Sequence, residues 1–309
     1  MKIVITNESG LTDSHLEVLR DLGEVQAYAD TNASNVEERL KAADVAVIDC
    51  FLTPVTKKLL SSLPNLKFLT VNSTGYDNVD VEAVRAAGIT ASNVPGFSTE
   101  AVAELAIGLM FAAVRKISEG DKDFRESQLQ VDPGTPAAKK YLGFDLRGKV
   151  LGVVGLGNIG ARVAEISGSV GMQVIGYNRT PKVLPNVKMM TLDELLGKAD
   201  VICICLALTD ETKGLISKEK IKIMKRGAVL ISIASMEIVD VEALKEALDN
   251  GALAGAGLDT AGSSMFTTKN TILTPHMAWN TRESNENMGK IIMENVQGFI
   301  AGKPINTIS

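Results

Sequence analysis

The sequence predicts an α/β protein built on two doubly wound parallel sheets, and three observations carry that expectation. Short β-branched runs alternate with helical patterns through about the first hundred residues, a polar stretch interrupts them, and a second alternating series starts at Lys149. Alternating strand and helix periods imply parallel strands joined by covering helices. A chain of 309 residues is long enough to bury two such cores.

The first series reads KIVIT, LTDSHLEVLRDLG, DVAVID, TKKLLSSL, LKFLTVNS, VDVEAVRAAG and ITASN. MKIVIT breaks at Asn7, so it predicts a first strand and not a signal peptide. Residues 98–117 predict a long helix, apolar on nearly every side of AVAELAIGLMFAAV and therefore buried all round, between domains or against another subunit. Residues 118–148 are polar, carry PG and GTP turn signals and predict an extended arm. KVLGVVG, MQVIGYN, ADVICICL, GAVLISIA, ALAGAGLD and NTILTP then give the strands of the second sheet. The amphipathic segment 281–301 returns to the first domain, so the expected domains are residues 1–97 with 283–309, and 98–282.

Composition narrows the partners. Hydrophobic residues make up 45% of the chain, charged residues 22%, and the net charge is -5, values that argue for a globular protein and against a nucleic-acid or anionic membrane surface. No apolar stretch reaches the roughly 18–20 residues of a membrane helix. A small-molecule ligand is the expectation. Cys50, Cys203 and Cys205 lie in apolar runs, as reduced core thiols of a cytoplasmic protein do, and no metal site is expected because both His lie far away in sequence. His15, in DSHLEVL, reads as a solvated helix residue.

KVLGVVGLGNIGARVAEISGSVG is a strand, a GxGxxG turn and a helix. Gly155 suits the tight turn, Gly157 lets backbone approach a pyrophosphate, and Gly160 lets the helix pack closely on the strand. The pyrophosphate then meets the helix N-terminus, where free N–H groups and the dipole favour anions. Where an NAD site would place a carboxylate, after MQVIGY, the chain has Asn178, Arg179 and Thr180. A guanidinium and a hydroxyl in place of a carboxylate favour NADP over NAD.

VNSTGYDNVDVEAV, GFDLRGKVLGVVGLGNIG and LTPHMAWNTRES together resemble the D-isomer-specific 2-hydroxyacid dehydrogenase family over nearly the full length. Trp279 and the ending ENVQGFIAGKPIN resemble most its glycerate dehydrogenase (hydroxypyruvate reductase) branch. The resemblance implies a flavodoxin-like substrate domain, a Rossmann dinucleotide-binding domain, a cleft between them that closes on ligand, and a homodimer formed through Ala101 to Val114 and the arm. It places a substrate carboxylate on the backbone of Ser73, Thr74, Gly75 and Tyr76, with Phe51 and Trp279 alongside. Around the dinucleotide it places Asn158, Ile159, Leu206, Thr212, Ile233, Ala234, Asp259, His276 and Ala278.

Catalysis in that family uses an Arg on the substrate carbonyl and carboxylate, a His that passes the proton, and a Glu that orients and charges the His. The His matches His276. The segment written LINTARGG in the family reads LISIASME here, which puts Ser235 at the Arg position, and five residues on from Asp259, where the Glu is expected, stands Ser264. Losing such a donor costs on the order of 10²–10³ in rate, so ordinary 2-oxo acid reduction is expected to be poor. To compensate, Glu237 would point to the same side as Ser235 on an extended chain, Arg282, Lys225 and Arg226 are the other charges nearby in sequence, and Met236, Met265 and Phe266 make the expected pocket more apolar. Two function classes follow: an NADP-dependent oxidoreductase of altered substrate, using His276 with Ser235 and Ser264, or an inactive dinucleotide-binding sensor or partner-binding protein.

Overall fold

A computed structural model describes residues 1–7, 10–128, 130–180 and 182–309. Two compact units make up the chain, Met1–Ser98 with Asn280–Ser309, and Thr99–Trp279. In the first, strands and helices alternate as β1 (Lys2–Ile5), α1 (Asp13–Leu22), β2 (Glu24–Ala27), α2 (Val36–Leu40), β3 (Val45–Ile48), α3 (Lys57–Ser61), β4 (Phe68–Val71), α4 (Val81–Ala86) and β5 (Thr90–Ser92). The sheet order is β2-β1-β3-β4-β5, all parallel, the order of flavodoxin-like folds. β3 and β4 are buried at every position, as expected of central strands covered on both faces.

The second unit opens with α5 (Thr99–Val114), α6 (Ile117–Ser127) and α7 (Pro136–Lys140). It continues through β6 (Val150–Val154), α8 (Asn158–Ser169), β7 (Gln173–Tyr177), β8 (Val187–Met189), α9 (Leu192–Lys198), β9 (Val201–Ile204), α10 (Lys218–Lys222), β10 (Ala228–Ser232), α11 (Val241–Asp249), β11 (Leu253–Leu258) and β12 (Thr271–Leu273). The order β12-β11-β10-β9-β6-β7-β8 is again fully parallel, with the strand succession reversing between β6 and β9. That reversal is the Rossmann switch point, outside which ligands bind at the carboxyl ends of the strands. The chain re-enters the first unit with α12 (Arg282–Ile300).

α12 is pinned there by buried Asn295, whose amide nitrogen donates to Thr70 Oγ1 at 3.0 Å and to the Asn93 carbonyl at 2.8 Å. His15 is buried and not solvated: its Nδ1 accepts the Thr12 N–H at 3.1 Å, and it packs so closely on α12 that a Cβ at Gly289 would lie 2.4 Å from that nitrogen. The helical pattern of DSHLEVL turns its His onto the face that α12 covers, a tertiary contact invisible from α1 alone.

Within the single chain α5 exposes one row, Glu104, Gly108 and Phe111, at i, i+4 and i+7 spacing. Its apolar face meets β11, where a Cβ at Gly257 would come within 2.9 Å of Leu109 Cβ. The arm is not extended throughout. Its first third is α6, supported by an Asp121–Arg125 pair at i,i+4 and held to α7 through Asp123, which accepts from Lys140 and Tyr141. Turn residues dominated the reading of that polar stretch and masked the short-range charge pairs; Leu129 within it lies outside the described residues. Among the described residues no helix is long and apolar enough to cross a membrane.

Candidate functional site

The glycine turn is built by close approach. Gly155, at φ +97°, has a conformation L side chains rarely adopt, and a Cβ there would also meet the Cys205 carbonyl at 2.9 Å. A Cβ at Gly160 would sit 1.9 Å from the Gly155 carbonyl oxygen, so only glycine lets α8 start this close to β6. At Gly157, by contrast, nothing lies within 4 Å of the Cβ position. Gly157 is also the N-cap of α8 and offers no side chain to its first N–H groups, including those of Asn158, Ile159 and Gly160. An open approach, uncapped donors and the positive end of a twelve-residue helix fit a pyrophosphate.

The loop after β7 is tied to this turn. The Leu156 N–H donates to Asn178 Oδ1 at 3.1 Å, and the Asn178 amide donates on to the Thr180 carbonyl at 2.8 Å. Arg179 is ion-paired with Glu211 from the loop after β9, and Lys182 donates to the Leu156 carbonyl at 2.8 Å. Lys182 and Glu211 escaped the sequence reading, although NRTPK already showed a second cation beside Arg179. In the β9 loop Thr212 donates to the Ala207 carbonyl at 2.7 Å, and half-buried Leu206 packs under Gly155.

β10, β11 and β12 are neighbours and parallel, so the loops bearing Ser235, Ser264 and His276 leave the sheet at one edge. After β10, Ile233 and Ala234 lead to Ser235, whose Oγ accepts the Glu237 N–H at 3.3 Å and starts a short 3-10 turn over Met236–Ile238. Because the chain turns here, Glu237 does not follow Ser235 onto one side; it pairs with Lys213 at 2.8 Å. Lys225 precedes β10 and binds Asp200, which precedes β9, at 3.0 Å, placing it at the opposite edge from Ser235. Arg226, beside it, and Arg282, at the start of α12, are exposed. Met265 is wholly buried in the core and Phe266 is exposed, so the two do not line one apolar pocket.

Asp259, at the end of β11 and 2% exposed, organises the His segment. Its carboxylate accepts from Thr274 Oγ1 at 2.6 Å and from the N–H groups of Met277 at 3.0 Å and Ala278 at 3.1 Å. Its carbonyl accepts the His276 N–H at 2.7 Å, and the His276 carbonyl in turn accepts the Trp279 indole N–H at 3.0 Å. Held from both sides, His276 adopts φ +55° with its side chain exposed. A non-glycine residue in this region costs free energy and persists where the surroundings impose it, often at functional sites.

In the first unit, the loop after β4 holds Ser73, Thr74, Gly75 and Tyr76. The Ser73 hydroxyl donates to the Gly75 carbonyl at 2.6 Å and the Thr74 hydroxyl to the Val94 carbonyl at 2.8 Å, while Asn93 donates to the Thr74 carbonyl at 2.7 Å. Carbonyls are thus engaged from behind, and among the described residues the N–H groups of Thr74, Gly75 and Tyr76 have no acceptor. Cys50 lies beneath, 3.4 Å from the Ser73 hydroxyl, its thiol pKa pushed up by burial. Phe51 and Tyr76 are exposed, at 55% and 41%. The three cysteines are free thiols, and the described residues contain no group of three or more His, Cys, Asp or Glu able to hold a metal ion.

A parallel sheet with a Rossmann switch point, an uncapped glycine turn and a His-bearing loop at the same carboxyl edge define a dinucleotide-binding oxidoreductase class. Residues 107–278 match the family model for the D-isomer specific 2-hydroxyacid dehydrogenase NAD binding domain. The chain is 32% identical to a glyoxylate reductase of Thermococcus litoralis, over 100% of the chain and 96% of that protein. It is 33% identical to a glycerate dehydrogenase of Methylorubrum extorquens, over 92% of each. Among solved structures it resembles an acyclic imino acid reductase in complex with NADPH and D-Arg, at TM-score 0.91, 30% identity and full coverage of both chains. The chain belongs to the D-isomer specific 2-hydroxyacid dehydrogenase family, and its cofactor is a nicotinamide dinucleotide.

Proposed function

We propose that this chain is an NADP-dependent oxidoreductase that transfers hydride to and from a small carboxylic acid, with His276 moving the proton. The observation that carries the proposal is the pairing of an uncapped, open glycine turn with a strained, Asp259-anchored His276 loop in one unit. When bound, the reduced nicotinamide supplies a hydride. Gly155, Gly157, Asn158, Ile159 and Gly160 would take the pyrophosphate, and Asn178, Arg179 and Thr180 the adenosine end. Leu206, Thr212, Ile233, Ala234, Asp259 and Ala278 would shape the rest of the cradle, and the Ser73–Tyr76 N–H groups would take a carboxylate, with Phe51 and Trp279 beside the substrate. In reduction, a proton passes from the imidazolium form of His276 to the substrate heteroatom and leaves a neutral imidazole, with Ser235 and Ser264 donating hydroxyl hydrogen bonds. NADP is favoured over NAD because Arg179 stands where a carboxylate would repel a 2′-phosphate.

The serines at 235 and 264 favour a second reading of the substrate, a C=N rather than a C=O group. Reducing a ketone develops negative charge on oxygen, which a guanidinium would stabilise. A protonated iminium carries its positive charge already, and hydride addition neutralises it, so neither a polarising cation nor a charged His is required. The imino acid reductase of the same fold agrees with this chemistry.

The chain is further proposed to be a cytoplasmic homodimer. Phe111, Ile117, Phe124, Val131 and Leu142 are 37–75% exposed, and all lie on the segment proposed as the interface. The functional test is NADPH oxidation with 2-oxo acids, alone and with ammonia or methylamine to form imines, beside NADPH binding by fluorescence. Turnover on 2-oxo acids supports the first reading, and turnover only with amine present the second. Tight binding with no turnover on either set refutes both and leaves a dinucleotide sensor.

A further inference from the structure

The loop after β7 holds one peptide unit of the glycine turn from both sides: Asn178 accepts the Leu156 N–H at 3.1 Å, and the Lys182 ammonium donates to the Leu156 carbonyl at 2.8 Å. Asn178 is committed to this brace, since its amide nitrogen also donates to the Thr180 carbonyl. Lys182 is not, because an ammonium has three donors and this contact uses one. Arg179 is held differently, in an ion pair with Glu211 whose side chains are 76% and 65% exposed.

From this arrangement we infer that Lys182 and Glu211 set the discrimination between NADPH and NADH. Lys182 acts as the second cation for the 2′-phosphate, and Glu211 competes with that phosphate for Arg179. The inference rests on the NADP reading above and names residues that it does not include. At rest the Arg179–Glu211 pair is neutral and Lys182 supplies the one uncompensated positive charge of the three. A phosphate monoester carries about 1.5–2 negative charges at neutral pH, more than one paired guanidinium can balance. The two cations together match it once Glu211 lets go, and exposed pairs of this kind exchange partners at little cost. NADH carries no 2′-phosphate and so neither needs Lys182 nor displaces Glu211.

The test measures Kd for NADPH and for NADH by nucleotide fluorescence, on the full chain and at two salt concentrations. Lys182→Gln raises Kd for NADPH about tenfold, the size expected of a lost charge-assisted hydrogen bond, and changes Kd for NADH less than about twofold. Lys182→Arg retains the NADPH preference. Glu211→Gln lowers Kd for NADPH several-fold and leaves NADH unchanged. If Lys182 only braces Leu156, Lys182→Gln weakens both dinucleotides alike, and the inference is overturned. It is overturned also if wild type prefers NADPH and neither variant moves the ratio. Equal wild-type affinity for the two dinucleotides instead removes the NADP reading itself.

Discussion

Gly157 and Gly160 occupy one turn but are required for different reasons, and the difference is measurable. At Gly160 the Cβ of an alanine would fall 1.9 Å from the Gly155 carbonyl oxygen and 3.2 Å from Val153 Cγ1. Reaching ordinary contact at 3.4 Å moves α8 away from the turn by about 1.5 Å. Overpacking of this kind costs about 1–3 kcal/mol, and a domain of this size loses roughly 2–4 °C of Tm per kcal/mol. At Gly157 the same Cβ meets nothing within 4 Å, and φ there is -66°, open to any residue. Gly157→Ala should therefore leave Tm within about 2 °C of wild type, since surface changes stay near 0.5 kcal/mol, yet it fills the approach to the α8 donors. Thermal melts with dinucleotide titrations should show Gly160→Ala losing both stability and binding, and Gly157→Ala losing at least about tenfold in binding alone, or about 1.4 kcal/mol. Wild-type affinity in Gly157→Ala would refute the placement of the pyrophosphate.

Asp259→Ala leaves the exposed loop residue Met277 and the buried Ala278 without the acceptor of their N–H groups, at a cost on the order of 1–3 kcal/mol, and loosens the loop that carries His276; the melt should drop and catalysis should fall further than binding. Asp200 and Asp44 should both contribute to the acid limb of stability. Burial works to raise the Asp200 pKa, but the Val150 N–H and Lys225 outweigh it and hold the carboxyl below its usual range, while Asp44 is held down by the Lys2 N–H and the Lys67 ammonium. Lowered folded values contribute stability that is present above the unfolded value near ~4 and lost as pH falls through the folded one. Asp200→Asn should thus melt lower at neutral pH and lose less on acidification, as a Tm series against pH will show. Phe111→Asp with Phe124→Asp should shift the sedimentation behaviour from dimer to monomer; an unchanged dimer would place the interface elsewhere. Ser235→Arg with Ser264→Glu should create glyoxylate or hydroxypyruvate reductase activity, and failure to do so in a folded variant would undermine the alignment of those two positions.

The strands and the glycine turn were legible because their signals are local: continuous apolar runs for doubly covered strands, and glycines whose spacing answers to backbone contact. β2, α2 and β8 were missed because they are short and partly exposed, with no period to betray them. His15 was misread because its burial comes from α12, far away in sequence, where a Cβ-less Gly289 makes room for the ring. The charges near Ser235 were misread for a geometric reason. Glu237 depended on an extended chain that instead enters a 3-10 turn, and Lys225 was near in sequence but sits at the other end of the strand. Asp259 was named only as a cofactor neighbour, although its larger part is to hold the His276 loop, which no spacing rule reveals.

The function proposed for this cradle is delivery of hydride to a small carbonyl or imine carbon. Incubation with NADPH deuterated at nicotinamide C4, on both faces, and each member of the substrate panel, followed by mass spectrometry, tests it directly. The reduced product should carry a single deuterium on the carbon that was doubly bonded, with the signal strongly diminished in His276→Gln. Tight NADPH binding with no deuterium in any product would contradict it.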